Sequence, residues 1–386
     1  MGQTLTKIAE TLRDASKKVQ LIYAFNATGK TRLSREFRKL IDPKIEEQDD
    51  GRRPKVLYYN AFTEDLFYWD NDLDGDINRK LRIQPNAFTK SAFEDLGLDF
   101  NVITVFQQYT QRNLMPHFNQ EYMTNGKDGK EVTIPAFSEV TFSLERGTDT
   151  STGNLKISKG EESNFIWSIF YCLLDQVIST RNILEVEDRE TDQFNDLKYI
   201  FIDDPVSSLD ENHLIQLAVD IAALIRRSDN TNGLKFIITT HSPLFFNVLY
   251  NELKKPASYM LKRFDDETFE LEKTDGDSNK SFSYHLYLKK TLEEAIEADK
   301  IERYHFTLLR NLYEKTSNFL GYEKWSDLLP GDQKLYLQRI INFTSHSSLS
   351  NEVIAEPTSP EKKTVKLLLE HLSKNYKYYQ KEAQNA

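Results

Sequence analysis

The 386-residue sequence predicts an α/β domain built on a largely parallel sheet, followed by an all-helical C-terminal domain. Four short, nearly continuous apolar runs, VQLIYAF, KVLYYNAF, KYIFIDD and KFIITTH, are β-branched or aromatic, as strands covered on both faces are. Amphipathic stretches such as KTRLSREFRKLI and HLIQLAVDIAALIRRS lie between them, the alternation that builds a parallel sheet. From about Lys289 the strands cease. KKTLEEAIEADKIERYHFTLLRNLYEKTSNFLG keeps helical spacing up to a C-capping Gly321, and GDQKLYLQRIINFTSH reads as a further helix. SPEKKTVKLLLEHLSKNYKYYQ reads as a last helix, with Ser359 as N-cap and Pro360 in its first turn. The division is expected at residue 264, giving domains 1–264 and 265–386.

Bulk properties exclude several classes. With 39% hydrophobic and 12% aromatic residues the chain can bury a large core. The single cysteine, Cys172, lies in the apolar FIWSIFYCLLDQVI, so it is expected to be a buried small hydrophobe in a reducing compartment. The opening MGQTLTKIAETLRDASKK is polar, and no apolar run reaches the roughly 20 residues that a bilayer needs, so a soluble cytoplasmic protein with no membrane partner is expected. The formal charge is −10, but from Ser281 onward 15 Lys and Arg stand against 14 Asp and Glu, a net +1 that leaves −11 for the first 280 residues. The tail also holds His285, His305, His346 and His371, four of seven histidines, which makes it the better place for a nucleic acid.

The first strand runs into YAFNATGKT, residues 23–31. A phosphate-binding loop of the form GxxxxGK[ST] works because backbone N–H groups and a helix N-terminus face phosphate oxygens, with a Lys at the β/γ-phosphates and a Ser or Thr on Mg²⁺. Asn26, Ala27, Thr28 and Gly29 would form that cradle, Lys30 would reach the phosphates and Thr31 the metal. Two alanines stand where glycines are common. Ala24 takes the first glycine position. Ala27 costs little if its φ is negative and about 1 to 2 kcal/mol if it is positive.

Further along, YIFIDDPVSSLD delivers Asp203 and Asp204 at a strand's C-terminal end, where ligands bind in open parallel sheets. Asp203 is placed to hold Mg²⁺ and Asp204 to orient or deprotonate the attacking water. SLD follows at 208–210, and IITTHSP places His241 at the next strand's end. ISKGEES, with Ser158 and Gly160, precedes a long apolar segment. In this order the five elements resemble those of ABC-type ATPases: P-loop, signature loop, acidic strand, D-loop and switch histidine. That resemblance implies an ABC-type P-loop NTPase domain in which Ser158 and Gly160 of one subunit meet the nucleotide held by another, so a homo-oligomer is implied. Asp204 stands where most ABC proteins have Glu, and FQQYTQR at 106–112 is a candidate Q-loop. About 125 residues separate P-loop and signature, with no sustained heptads, so a DNA-bridging coiled coil is not expected.

In the tail, Arg310 and Glu314 in LLRNLYEK are four apart and share a helix face, and His346 follows in RIINFTSHSS. Arg, Glu and His suit metal-independent RNA cleavage: a base takes the 2′-OH proton, an acid protonates the departing 5′-oxygen, and Arg neutralises charge on phosphorus. The same Arg and Glu can equally form a surface ion pair.

Several longer stretches extend the likeness: YYNAFTEDLFYWDND, LSREFRKLI, SKGEESNFIWS, FIDDPVSSLDENHL, GDSNKSFSYHL, ERYHFTLLRNLYEKTSNFLGY and RIINFTSHS. Through them the chain resembles the anticodon nucleases of the PrrC type over nearly its whole length. The resemblance implies an anti-phage RNase, acting by abortive infection, that cuts the anticodon loop of lysine tRNA 5′ of the wobble base and leaves 2′,3′-cyclic phosphate and 5′-OH ends. It implies a catalytic set at Arg310, Glu314 and His346, and anticodon recognition by Asp277, Ser278, Asn279 and Lys280. It further implies ATP or GTP with Mg²⁺ at the nucleotide site only, a second regulatory nucleotide such as dTTP, latency in a type I restriction–modification complex, and assembly as a dimer or a tetramer of dimers. The tail also resembles HEPN-type RNase domains, whose Arg and His motif Arg339 and His346 fit. Two other readings remain at this stage: an ABC-type ATPase with a metal-dependent Toprim-like nuclease, for which DGD at 275–277 offers one acidic pair, and a non-enzymatic phage-defence sensor.

Overall fold

The computed structural model describes residues 2–43, 53–71, 78–110, 113–125, 130–144, 154–205, 211–254, 256–264, 266–274, 284–331, 335–336, 340 and 356–376. They fall into two compact units, Met1–Ser281 and Phe282–Ala386. In chain order the first unit contains α1 (Leu5–Asp14), β1 (Val19–Tyr23), α2 (Lys30–Ile41), β2 (Val56–Asn60), β3 (Phe67–Asp70), β4 (Lys80–Ile83), α3 (Ala87–Lys90), α4 (Asp99–Tyr109), β5 (Leu114–Phe118), β6 (Tyr122–Asn125), β7 (Glu131–Ile134) and β8 (Glu139–Leu144). It continues with α5 (Lys159–Asn182), β9 (Tyr199–Asp203), α6 (Glu211–Arg227), β10 (Lys235–Thr240), α7 (Pro243–Glu252), β11 (Ala257–Arg263) and β12 (Phe269–Lys273).

The four apolar runs are β1, β2, β9 and β10, and they are neighbours in a six-stranded sheet of order β12-β11-β1-β10-β9-β2. All pairings are parallel except the β11–β12 edge. Because β12 still pairs with β11, the units divide at 281/282 and not at the 264/265 expected from the sequence. Leu5, Ile8 and Leu12 of α1 and Leu33 and Phe37 of α2 are buried against Ile22, Phe201 and Ile237 of the sheet. Each such side chain contributes roughly 1.5 to 3 kcal/mol through the apolar area removed from water.

A second, antiparallel sheet of order β3-β4-β8-β5 was not anticipated from the sequence. Its strands, FYWD, KLRI, LMPHF and EVTFSL, mix polar residues with apolar ones and lack the continuous apolar run that marks β9 or β10. The first half of α5 packs here, with Phe165 edge-on to Phe106 and Phe142 at 5.6 and 5.4 Å. Cys172 on α5 is a free, buried thiol, and burial pushes it up to about 12, so it is no nucleophile at neutral pH.

Register fixes where the site lies. Tyr23 pairs with Thr240, Thr239 with Asp203, and Asn60 with Asp203, so the ends of β1, β10, β9 and β2 form one edge. The P-loop, both aspartates and His241 all leave the sheet there.

The second unit contains α8 (Tyr284–Glu297), α9 (Arg303–Leu320) and α10 (Ser359–Asn375). The helical stretch that ends at Gly321 is two helices. Asp299 turns left-handed at φ +53° and Lys300 N–H bonds back to Ala295 C=O at 2.9 Å, the closure that ends α8. Leu288, Leu292, Phe306, Leu309, Leu312, Val365, Leu368 and Leu372 form the unit's core. The last helix is capped one residue before the expected Ser359: Thr358 and Glu361 form a reciprocal capping box, leaving Ser359 and Pro360 as the first two helical residues. Thr358→Ala should therefore lower the stability of this unit by about 1 kcal/mol in chemical denaturation. No helix among the described residues is long and apolar enough to cross a membrane.

Candidate functional site

Ala24 continues β1, with its N–H bonded to Thr240 C=O at 3.0 Å and its methyl wholly buried. Its φ is not positive, so alanine serves there without backbone cost. Ala27 is different. Its φ is +62°, and Gly29 follows at +104°. Gly29 is required twice over, since a Cβ there would also come within 3.1 Å of the Phe269 ring. Ala27→Gly removes the strain of a methyl in the left-handed region, about 1 kcal/mol net of the extra freedom glycine has in the open loop. Chemical denaturation should show the first unit stabilised by about that amount.

Lys30 opens α2 and is only 8% exposed. Its Nζ donates to the carbonyls of Ala24 and Phe25 and to Asn26 Oδ1, each at 3.2 Å, and lies 3.3 Å from Asp204 Oδ2. The ammonium thus ties the loop's carbonyl side together, leaving Ala27, Thr28 and Gly29 at the N-terminus of α2. That arrangement of a buried cation, a helix N-terminus and a left-handed glycine fits a nucleotide's phosphates.

Asp203 is 1% exposed. Its Oδ1 accepts from Thr239 at 2.5 Å and its Oδ2 from Thr31 at 2.9 Å and Tyr58 at 3.3 Å. Burial raises its carboxyl above the ordinary carboxylate range, partly offset by the Thr239 and Thr31 hydroxyls. Thr31 and Asp203 are the residues that would hold Mg²⁺. Tyr58 is itself pushed up to about 12, chiefly by burial, so it remains a phenol and a donor at neutral pH.

Asp204 leaves the strand at φ +54°, its N–H on Thr239 C=O. His241 Nδ1 lies 2.7 Å from both of its oxygens, and His241 N–H donates to Oδ1 at 3.2 Å. Burial alone would raise this carboxyl, but the His241 hydrogen bond and the charge of Lys30 outweigh it and hold the group below its usual range. Asp204 is therefore an anion at neutral pH. It is suited to accept a proton from, or orient, a water next to the phosphates that Lys30 would hold.

The structure brings Asn26 to Thr31, Asp203, Asp204 and His241 together. Ser158 caps α5, accepting from Glu161 N–H at 3.3 Å, with Glu161 returning to Ser158 N–H at 2.8 Å, and Gly160 lies in the first turn. No hydrogen bond between these residues and the P-loop is present among the described residues. Glu162, beside them, accepts from Trp69 Nε1 at 2.9 Å and so ties α5 to β3. In the candidate Q-loop, Phe106–Tyr109 form the end of α4, where Gln107 donates to Leu114 C=O at 3.4 Å, a bond that holds the lobe together. Thr239 and Tyr58, absent from the expected set, complete the Asp203 environment. A threonine pair at the end of a fully buried strand was the signal for the first. Tyr58 carries no local signal, because its partner is 145 residues away.

In the second unit Arg310 Nε donates to Glu314 Oε1 at 2.8 Å, and the guanidinium lies 5.9 Å from the Trp325 ring. Both side chains are about one-third exposed, while Leu309, Leu312 and Tyr313 face the core. His305 and His371 have structural duties. His305 Nδ1 accepts from Glu302 N–H at 2.8 Å, with its ring held below the ordinary imidazole range by burial, and His371 Nε2 lies 3.2 Å from Leu328 C=O. His346, Arg339 and the Asp277, Ser278, Asn279 and Lys280 segment lie outside the described residues, as do the SLD residues and the DGD pair.

A family model described as an AAA domain matches residues 143–370, more than half of the chain. The SMC head domain from Thermotoga maritima aligns over 68% of this chain and 92% of its own at 9% identity, with a TM-score of 0.31. The Smc head domain of Pyrococcus furiosus, bound to the C-terminal domain of ScpA, aligns over 51% and 37% at 14% identity, with a TM-score of 0.25. A curated anticodon nuclease from Escherichia coli is 56% identical over 412 aligned positions, covering 100% of both chains. With a P-loop NTPase head in place and identity of that depth running from end to end, the chain belongs to the anticodon nuclease family.

Proposed function

We propose that this protein is a nucleotide-controlled endoribonuclease that cuts the anticodon loop of a tRNA, lysine tRNA by preference, on the 5′ side of the wobble base. The carrying observation is the 56% identity to an anticodon nuclease over the whole of both chains. The Arg310–Glu314 pair, held on an outward face of α9, supports it from the chemistry. Glu314 and His346 serve as the acid and base, and Arg310 balances the charge that builds on phosphorus as the 2′-oxygen attacks. The 5′-oxygen leaves with a proton, giving a 2′,3′-cyclic phosphate and a 5′-OH with no metal in the step. Asp277, Ser278, Asn279 and Lys280 contact the anticodon.

The head is the control element. Bound ATP or GTP with Mg²⁺ supplies a hydrolysable phosphoanhydride whose presence distinguishes two states. Lys30 and the Asn26–Gly29 backbone hold the phosphates, Thr31 and Asp203 hold the metal, and Asp204 with His241 handles the water. Ser158 and Gly160 act from a second copy, so the working unit is an oligomer, and a restriction–modification complex keeps it latent until infection.

The test is a cleavage assay on purified protein with total tRNA in EDTA, after any nucleotide-dependent activation is complete. One tRNA nicked at one anticodon position, with cyclic phosphate at the new end, is the expected result. Intact tRNA or cuts scattered along the molecule would refute it. Cleavage abolished by EDTA, with 3′-OH ends, would instead identify a metal-dependent nuclease.

A further inference from the structure

The Asp203 carboxylate has a neighbour that no motif supplies. Tyr58 lies on β2, one strand over from Asp203, and its hydroxyl meets three polar groups. It meets Asp203 Oδ2 at 3.3 Å and accepts from Ser34 Oγ and Asn60 Nδ2, each at 2.9 Å. The direction of the phenol's single proton follows from what surrounds it. Asn60 Nδ2 can only donate, its Oδ1 already accepting from Thr63, so it occupies a lone pair of the Tyr58 oxygen. The Ser34 hydroxyl donates into the other lone pair and Asp203 Oδ2 accepts, so the Tyr58 proton points at the carboxylate. The ring cannot turn away: the Arg38 guanidinium covers it at 4.1 Å and Phe201 packs against it at 6.1 Å.

We propose that Tyr58, aimed by Asn60, is a positioning residue for the magnesium site, fixing the same Asp203 oxygen that meets Thr31. This rests on the reading above that Thr31 and Asp203 hold Mg²⁺. A carboxylate pinned on Oδ1 by Thr239 and on Oδ2 by Tyr58 is already turned to present its remaining Oδ2 lone pair toward Thr31, so metal binding requires no reorientation. Tyr58 acts through Asp203, which it meets at 3.3 Å.

The experiment measures ATP binding by the full-length protein at equilibrium, with Mg²⁺ titrated in and a parallel series in EDTA. Tyr58→Phe keeps the ring under Arg38 and removes only the hydroxyl. The expected result is a half-saturating Mg²⁺ concentration raised about tenfold, the lower end for a lost hydrogen bond to a charged group because this one is long, with ATP binding in EDTA unchanged. Asn60→Ala, which frees the hydroxyl to rotate, should shift the Mg²⁺ requirement the same way by about threefold. A wild-type Mg²⁺ requirement in Tyr58→Phe overturns the proposal, as does an equal loss of ATP binding with and without metal, which would mark the residue as merely supporting the loop. Asp203→Asn separates the two layers: if it too keeps the wild-type Mg²⁺ requirement, the assignment of the metal site itself is what fails.

Discussion

Glu314→Gln is expected to lower single-turnover tRNA cleavage by about 10² to 10⁴, the range for loss of a positioned acid or base. ATP binding and the unfolding midpoint should stay at wild-type values. The substitution keeps side-chain size and can still accept from Arg310, so the α9 surface is preserved and only the proton-transfer capacity goes. Arg310→Ala should cost about 10² to 10³ by removing charge stabilisation. Neither change touches the core face of α9, where Leu309, Leu312 and Tyr313 are buried and the Tyr313 hydroxyl donates to Leu368 C=O at 2.9 Å. Quantified tRNA cleavage on gels, with calorimetric unfolding alongside, reads both. Wild-type cutting by Glu314→Gln would reduce the pair to a surface ion pair worth roughly 0.2 to 0.5 kcal/mol.

Asp204→Asn should separate nucleotide binding from hydrolysis. ATP hydrolysis is expected to fall by about 10² to 10⁴ because the carboxylate that would take or orient the water's proton is gone. Binding should hold or tighten, since Lys30, released from its 3.3 Å contact with the Asp204 anion, is free to turn its charge on the phosphates. Phosphate release in single turnover against ATP affinity checks the split. Equal loss of both would show that Asp204 shapes the site and does no chemistry. His241, bonded to the same carboxylate at 2.7 Å, should show a smaller loss of hydrolysis as His241→Ala, because it acts largely by holding Asp204.

Much of the site was legible because each part obeys a local rule. Lys30 and Thr31 follow a strand and open a helix, Asp203 ends a buried apolar run, and Arg310 and Glu314 share a face by their spacing alone. Where local rules are weak the sequence was silent. The Thr358 cap and the Asp299 turn each hinge on a single residue's φ and side-chain bond, and adjacent Thr, Ser and Asp residues compete for such roles on equal terms. The β3-β4-β8-β5 sheet is assembled from short strands of mixed polarity, without the continuous apolar run of β9 or β10. The domain edge was placed too early because β12 is polar on one face, as an edge strand is, and lacks the apolar run that marks β9 or β10.

The sequence by itself determined the class of fold and the order of its parts, because strand runs, helix spacing and the positions of Lys30, Asp203 and the Arg310–Glu314 pair are properties of neighbours. Only the tertiary structure decided how those parts are tuned. It set Ala27 in the left-handed region, bound Asp204 between Lys30 and His241, and brought Tyr58 to Asp203 across 145 residues of chain. Backbone strain, a carboxylate's proton affinity and the aim of a hydroxyl depend on groups that meet only when parallel strands are laid side by side, and no local pattern records which strand will be the neighbour.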